Sequence, residues 1–306
     1  MKSRIIKKLK SENKVLNGEK LSKDLGISEI TLLQYIRELR ELGYHISETD
    51  KGYHLTNEPD VLFPWEFKKR ESHIYYFPEV NSTMDVARNM AKDDCPHFTV
   101  IIAESQTKGR GRLKRKWISE EGGLYFTIVL RPDMPISLVH MVNFCASLSL
   151  AKILQNHFSL NAKVKWPNDV LVDDKKISGL LSEMEADDNE INFVNIGIGI
   201  NVNNDPTLEE SNATSVKKLL GKDFLRKTIL SLFLDEFENS LSLSSVNKIM
   251  SQWKKYTMTL GKEVRIVTSR ETTEGTAIDV DESGALILKL EDGSLKKIIY
   301  GDCFVR

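Results

Sequence analysis

Residues 106–117 read Gln-Thr-Lys-Gly-Arg-Gly-Arg-Leu-Lys-Arg-Lys-Trp, and from Lys108 to Lys116 they carry six cationic side chains and no acidic one. Gly109 and Gly111 allow the backbone to approach a ligand closely. Arg110, Arg112 and Arg115 present planar forks that suit carboxylate or phosphate oxygens, and Trp117 offers a stacking face for a base. Such a run alone could equally be a solvated basic hairpin tip or a nucleic-acid patch, but here it lies inside an α/β region rather than at a tail. A second segment, Lys165-Trp166-Pro167-Asn168-Asp169, is followed by Lys175-Lys176-Ile177-Ser178-Gly179. A strand should end at Lys165, with Pro167 fixing the turn and Asn168 and Asp169 projecting polar groups where the next strand starts. Lys176 then begins a strand at the same sheet end, and Gly179 permits close approach three residues on. The third segment, Gly197-Ile198-Gly199-Ile200-Asn201-Val202, ends an apolar strand in an Asn, and its glycines leave room for a backbone or a ligand. Taken singly, these last two could be an ordinary Asn-Asp hairpin turn and tight sheet packing.

The elements that must position these residues fall into three regions. In residues 1–58, Ile5, Ile6 and Leu9 are spaced for one helix face. A short helix over 19–25 stops at Gly26, and Ser28 caps a third over 29–42, with Ile30, Leu33, Ile36 and Leu39 as its apolar stripe. Residues 44–46 and 53–55 then alternate as a hairpin. That order is a winged helix-turn-helix. Residues 59–64 read as a linker. Residues 65–259 mix strands at 73–77, 98–103, 124–130, 162–165, 176–184 and 191–202 with helices at 82–91, 136–158, 214–220, 223–241 and 245–256. Residues 260–306 alternate in short strands at 264–267, 274–280, 286–290 and 295–300, which suggests a small SH3-like barrel. The predicted class is α+β: a winged head, a central mixed sheet and a small C-terminal barrel.

Composition narrows the function. The 306 residues are 41% hydrophobic and 28% charged, with a net charge of -1, so any nucleic-acid contact must come from local patches rather than a global field. Cys95, Cys145 and Cys303 have no metal-ligand spacing and read as reduced structural thiols of a cytoplasmic protein. No stretch reaches the ~18 consecutive apolar residues of a membrane span. All six histidines lie outside the three segments, and these hold no Ser/His/Asp or Cys/His constellation. The segments are rich instead in Arg and Lys.

Together, the three segments resemble the signature of the biotin protein ligases, whose catalytic fold is related to lipoate ligases and class II aminoacyl-tRNA synthetases. The layout is similar over essentially the whole chain. It resembles the bifunctional class, in which a winged helix-turn-helix precedes the ligase and the enzyme also acts as the biotin operon repressor. The resemblance implies ATP and biotin as substrates with Mg²⁺ accompanying the nucleotide, and a lysine of the biotin carboxyl carrier protein of acetyl-CoA carboxylase as acceptor. It also implies operator DNA as a partner and an adenylate-promoted homodimer, and we expect residues 211–216 to belong to a loop that orders on ligand binding and supports that contact. Ser82 and Thr83 fall in the segment that binds the biotin ureido ring, and Gln106 matches a further ureido contact. Gly109, Arg110, Gly111 and Arg112 match the stretch along biotin and the adenylate, with Arg112 on the carboxylate or phosphate. Arg115 is placed on the pyrophosphate side, and Trp117 by the adenine. Lys176 matches the lysine at the reacting acyl-phosphate oxygens, with Gly179 beside it, and Asn168 and Asn201 match the nucleotide end. Asp169 is either a proton acceptor for the incoming amine or a turn cap for Asn168.

Three positions depart from the pattern: Met84 where a polar residue is usual, Lys114 where many members have glycine, and Glu29 at the start of the DNA-reading helix. On that head Thr31, Gln34, Tyr35 and Arg37 could reach bases or phosphates, and Lys51 could touch backbone from the wing, while Glu29 and Glu38 would repel DNA. Two competing readings are a lipoate-type ligase on the same fold and a ligand-sensing regulator that no longer ligates.

Overall fold

Two polar caps start the N-terminal helices. Asn17 accepts a hydrogen bond from the Lys20 amide at 2.9 Å and Ser28 from that of Thr31 at 3.1 Å, each satisfying a donor that the first helical turn leaves open. The resulting elements are α1 (Lys2–Glu12), α2 (Gly18–Leu25) and α3 (Glu29–Glu41), followed by the antiparallel hairpin β1 (His45–Thr49) and β2 (Gly52–Asn57). The computed structural model describes residues 1–188, 190–208, 210–243 and 245–306, and these divide into two units, Met1–Glu71 and Ser72–Arg306.

The apolar stripe of α3 differs from the sequence expectation. Its buried residues are Leu32, Ile36 and Leu39, whereas Ile30 is 82% exposed. The spacing i, i+4, i+7 from Leu32 makes a continuous ridge facing Ile5, Ile6 and Leu9, and Ile30 falls on the outer side. Residues 59–64, read as a linker, pack onto the same unit: Leu62 is fully buried, and Val61 and Trp65 lie against the helical core. A polar clamp accompanies them. Trp65 Nε1 donates to the Tyr44 hydroxyl at 2.8 Å, which in turn donates to Glu66 Oε1 at 2.5 Å, and Lys10 bridges Glu58 and Glu66 at 2.7 Å each. Burial and the Glu66 carboxylate push the Tyr44 phenol well above its ordinary value, so it stays protonated as the donor.

The second unit begins with β3 (Ile74–Val80), α4 (Thr83–Lys92), β4 (Thr99–Gln106) and β5 (Leu124–Leu130). It continues with α5 (His140–Phe158), β6 (Ala162–Lys165), β7 (Asp169–Val172), β8 (Lys175–Asp187), β9 (Glu190–Ile200), α6 (Val216–Leu220), α7 (Arg226–Leu243) and α8 (Val246–Tyr256). The seven strands run in the order β3-β4-β5-β9-β8-β7-β6, with only β3 and β4 parallel. Every residue of β5 is buried, because α4 covers one face through Thr83 and Thr127 while Phe233 of α7 meets Phe126 on the other at 5.5 Å. Helix α5 starts later than the expected 136, after a short 3₁₀ turn at Ile136–Leu138. It is long and apolar enough to cross a membrane, but most of its side chains are buried inside this unit, with Trp253 of α8 edge-on to Phe144 at 4.7 Å.

The chain ends in β10 (Glu263–Val267), β11 (Thr272–Val280), β12 (Leu286–Lys289), β13 (Leu295–Ile298) and β14 (Asp302–Val305), an antiparallel sheet ordered β13-β12-β11-β10-β14. Strand β7 starts at Asp169, where the sequence reading put the next strand, whereas β14 was not expected: it is four residues long, too short for alternation to stand out from a turn. Trp166 joins this sheet to the larger one: its buried indole Nε1 donates to the Gly284 carbonyl at 3.0 Å. Cys95, Cys145 and Cys303 are buried free thiols, and burial pushes the Cys303 thiol up to about 11.

Tyr44→Phe should remove both the donor to Glu66 and the acceptor for Trp65. A loss of about 1–3 kcal/mol is expected in urea unfolding, and an unchanged midpoint would show that residues 59–71 do not depend on this clamp.

Candidate active site

An enclosed polar space lies on one face of the seven-stranded sheet, a cavity of about 330 Å³. At one end stands the N-terminus of α4. Ser82 occupies the cap position, but its side chain makes no capping bond, and its buried Oγ has no partner among the described residues. Thr83 is fully committed: its amide and hydroxyl donate to Gln106 Oε1 at 2.8 and 3.1 Å, and it accepts from Thr127 at 2.8 Å. Gln106 Nε2 donates to Ser119 Oγ at 2.8 Å. Thr83 and Gln106 thus form a rigid frame, and Ser82 keeps hydrogen-bonding capacity for a ligand. Met84 is buried with its sulfur over Gly197, where an added Cβ would sit 2.6 Å from it, so this departure supplies an apolar wall.

The floor is a pair of glycines. Gly179 of β8 and Gly199 of β9 are directly opposed, and Trp117 lies across both. A Cβ at Gly199 would meet the indole Nε1 at 2.3 Å, and one at Gly179 would meet the ring at 2.8 Å. The space that the glycines leave is therefore filled by Trp117, with its Nε1 buried and unpartnered among the described residues.

Cations form the opposite wall. Arg112 Nη1 donates to Asn168 Oδ1 at 3.1 Å and to the Gly301 carbonyl at 3.3 Å. Burial lowers the Arg112 guanidinium from its ordinary value, while Asp302 and Asp169 oppose that shift. Arg115 pairs with Asp302. Arg110 grips Glu183 with both terminal nitrogens, at 2.9 and 3.3 Å, and lies 3.0 Å from Asp85. Lys176 Nζ stands 3.2 Å from Asp169 Oδ1 and 5.4 Å from the Trp117 ring centroid. Asn168 donates to the Leu180 carbonyl at 2.5 Å, and Asn201 accepts from Asn204 at 3.1 Å. Residues 211–216 run beside Lys176, whose amide donates to Asn212 O and whose carbonyl accepts from Thr214 N, both at 2.9 Å.

Of the residues singled out for this chemistry, all but Gly109 line the one cavity. Gly109 lies at the loop base, where a Cβ would meet the Trp117 carbonyl at 2.3 Å. Leu113, the residue before Lys114, is left-handed with φ 53°, so the loop takes a tight bend there. The Lys114 side chain lies outside the described residues. Asp302, Gly301, Glu183 and Asp85 escaped the sequence reading. Asp302 stands 187 residues from the Arg115 that it holds, and no local pattern reports such a pairing. Among the described residues, no group of three His, Cys, Asp or Glu side chains could hold a metal ion.

On the N-terminal unit, Arg37 is exposed, as is Gln34, which donates to Glu38 at 3.2 Å. Thr31 is half-buried and bonded to Ser28 at 2.8 Å, and Tyr35 packs partly against the core. Glu38 pairs with Lys2 at 2.8 Å, which offsets part of its repulsion, whereas Glu29 is exposed. Lys51 is exposed at the tip of the β1–β2 hairpin.

The fold and the cavity define a protein ligase with a helix-turn-helix head. Residues 76–201 match the biotin/lipoate A/B protein ligase family, residues 259–306 the biotin protein ligase C-terminal domain, and residues 2–54 an HTH domain. The bifunctional ligase/repressor BirA of Bacillus subtilis is 32% identical over 306 residues, spanning 95% of this chain and 94% of that protein. The bifunctional ligase/repressor BirA of Escherichia coli is 26% identical over 95% of this chain and 92% of its own length. A solved biotin protein ligase from Aquifex aeolicus, in complex with biotin and ATP, superposes with a TM-score of 0.65 at 30% identity, covering 76% of this chain and 98% of that one. The chain belongs to the bifunctional ligase/repressor family of biotin protein ligases.

Gly199→Ala should drive the Trp117 indole off the sheet, shifting its N–H resonance in a ¹H–¹⁵N spectrum and costing about 1–3 kcal/mol of stability through overpacking. An unmoved indole resonance would refute the tight seating of Trp117 on the glycine pair.

Proposed function

We propose that this chain activates biotin with ATP to biotinyl-5′-adenylate and then transfers the biotinyl group to a lysine of a biotin carboxyl carrier protein. The observation that carries this reading is that Ser82, Arg112 and Lys176 line one cavity. Biotin's bicyclic head would sit at the α4 end, with the unpartnered Ser82 hydroxyl on the ureido group and Thr83 and Gln106 framing it. The acid's tail would then run beneath the loop toward Arg112 and Lys176, and the nucleotide would lie toward Asn168 and Asn201.

In the first step the biotin carboxylate oxygen attacks the α-phosphorus of ATP, and the bond to pyrophosphate breaks. Negative charge builds on the non-bridging oxygens, where Lys176 and Arg112 counter it. The partial burial of Arg112 strengthens that pull, because less water screens it. Arg115, released from Asp302, would accompany the departing pyrophosphate. In the second step the acceptor lysine amine attacks the acyl carbon, AMP leaves, and the amine loses a proton. Asp169 is within reach of Lys176 at 3.2 Å, so it holds that cation in place and stands near enough to receive the proton. Mg²⁺ would enter with the triphosphate as part of the substrate; among the described residues no group of three His, Cys, Asp or Glu side chains could hold it.

The helix-turn-helix head extends the role to biotin-responsive repression at operator DNA, read by Gln34 and Arg37 with Lys51 on the wing. The repressing species is an adenylate-promoted homodimer supported by residues 211–216, and the protein works in the cytoplasm.

A single incubation with ATP, biotin and a carrier domain, read by intact mass, should show one biotinyl addition; lipoate in place of biotin should add nothing. Addition of lipoate alone would favour the lipoate-type reading, and no addition with either acid would favour a regulator that has lost ligation. Lys176→Ala should cut adenylate synthesis by about 10²–10³-fold with the fold intact, and near-normal pyrophosphate release by this variant would remove Lys176 from the mechanism.

A further inference from the structure

The loop over residues 106–119 is shaped by its own backbone. Gln106 N donates to Ser119 O at 3.1 Å, Trp117 N to Gly109 O at 2.9 Å and Gly111 N to Arg115 O at 2.8 Å. Its base is tied down where Thr107 and Lys108 donate to Val80 and Asn81 at 3.0 and 2.8 Å. Beyond that base, three arginines fasten it to the rest of the unit. Arg112 and Arg115 hold Asn168, Gly301 and Asp302, and an incoming carboxylate or phosphate competes for those forks. Arg110 differs, because both of its terminal nitrogens are already on Glu183, one of them also on Asp85, and its Nε is buried without a partner among the described residues. Arg88 of α4 donates to the same Glu183 at 2.5 Å, so two cations and two carboxylates neutralise one another.

We propose that Glu183 is a positioning residue for the ligation reaction: with Asp85 it anchors Arg110, and through Arg110 it keeps the loop that presents Arg112 to the acyl phosphate in place. The inference deepens the ligase reading above and rests on it. Glu183 and Gly179 lie on one face of β8, as their direct partners Asn195 and Gly199 show. One strand therefore both seats Trp117 at the end of the loop and holds Arg110 near its beginning. When substrate draws Arg112 and Arg115 away from their resting partners, the Glu183–Arg110 pair is the attachment that substrate does not contest. The guanidinium of Arg110 thus serves the loop.

The test is steady-state biotinylation of a carrier domain by the full chain, with free biotinyl-adenylate quantified alongside. For Glu183→Gln, KM for biotin should rise about tenfold, the scale of one bidentate charge-assisted pair. Adenylate escape should rise with it, and kcat should fall much less. Arg110→Gln should behave alike, the double variant should be no worse than either single one, and Glu183→Asp should recover most of the loss. A merely structural role would lower the melting midpoint without changing the balance of KM against kcat or the escape. Unchanged KM and escape in Glu183→Gln, or additive losses in the double variant, would overturn the proposal. Should Glu183→Gln fail to fold, Asp85→Asn on the half-exposed side of α4 is expected to raise KM several-fold, and no rise would overturn it equally. A wild-type chain that makes no adenylate would bring down the ligase reading itself, a result distinct from a working enzyme that is indifferent to Glu183.

Discussion

Six positive side chains crowded into nine residues repel one another, and a loop built that way holds a defined shape only if its charges are tied to separate, rigid partners. The three arginines of the loop reach three different parts of the unit: Glu183 on β8, Asn168 at the turn into β7, and Asp302 with the Gly301 carbonyl at the start of β14. Each tie removes some of the repulsion and fixes one point of the loop above the sheet. These ties fix the loop above the sheet, and Arg112 lies half-buried against the cavity beneath it.

The sheet answers this with a floor free of side chains. Opposed glycines on β8 and β9 accept the Trp117 indole at distances that no Cβ would tolerate. The indole in turn supports Lys176 from one side while Asp169 holds it from another. Lys176, Arg112 and the Ser82 hydroxyl thereby share one space although their positions in the chain are far apart. The proposed acyl-adenylate chemistry, which uses no protein nucleophile, would draw on this arrangement: fixed cations where charge develops, and an unpartnered hydroxyl to orient the acid.

The N-terminal unit follows a different logic. Its helices form by ordinary capping and apolar spacing, and the segment after the wing closes the unit through the buried Glu66, whose side chain is 1% exposed and held by Lys10 and Tyr44. The outer face of α3 carries Gln34, Arg37 and an exposed Ile30, a mixed polar and apolar surface.

Local patterns in the chain determined most of the elements by themselves, because helical spacing, strand alternation and glycine stops depend only on neighbouring residues. Strands β5 and β6 coincide with their expected ranges, and the three motifs supply just over half of the cavity's lining, since each motif is contiguous. The tertiary structure alone decided which groups are paired. It showed that Arg110 is spent on Glu183, that Thr83 and Gln106 are a closed frame while Ser82 is open, that Trp117 fills the space above the glycines, and that Asp302 arrives from the far end of the chain. It also turned Ile30 outward by choosing Leu32 for the buried ridge. The physical reason is the same in each case: a side chain's partners are set by three-dimensional proximity, and ion pairs across 73 to 187 residues leave no periodic trace in the sequence.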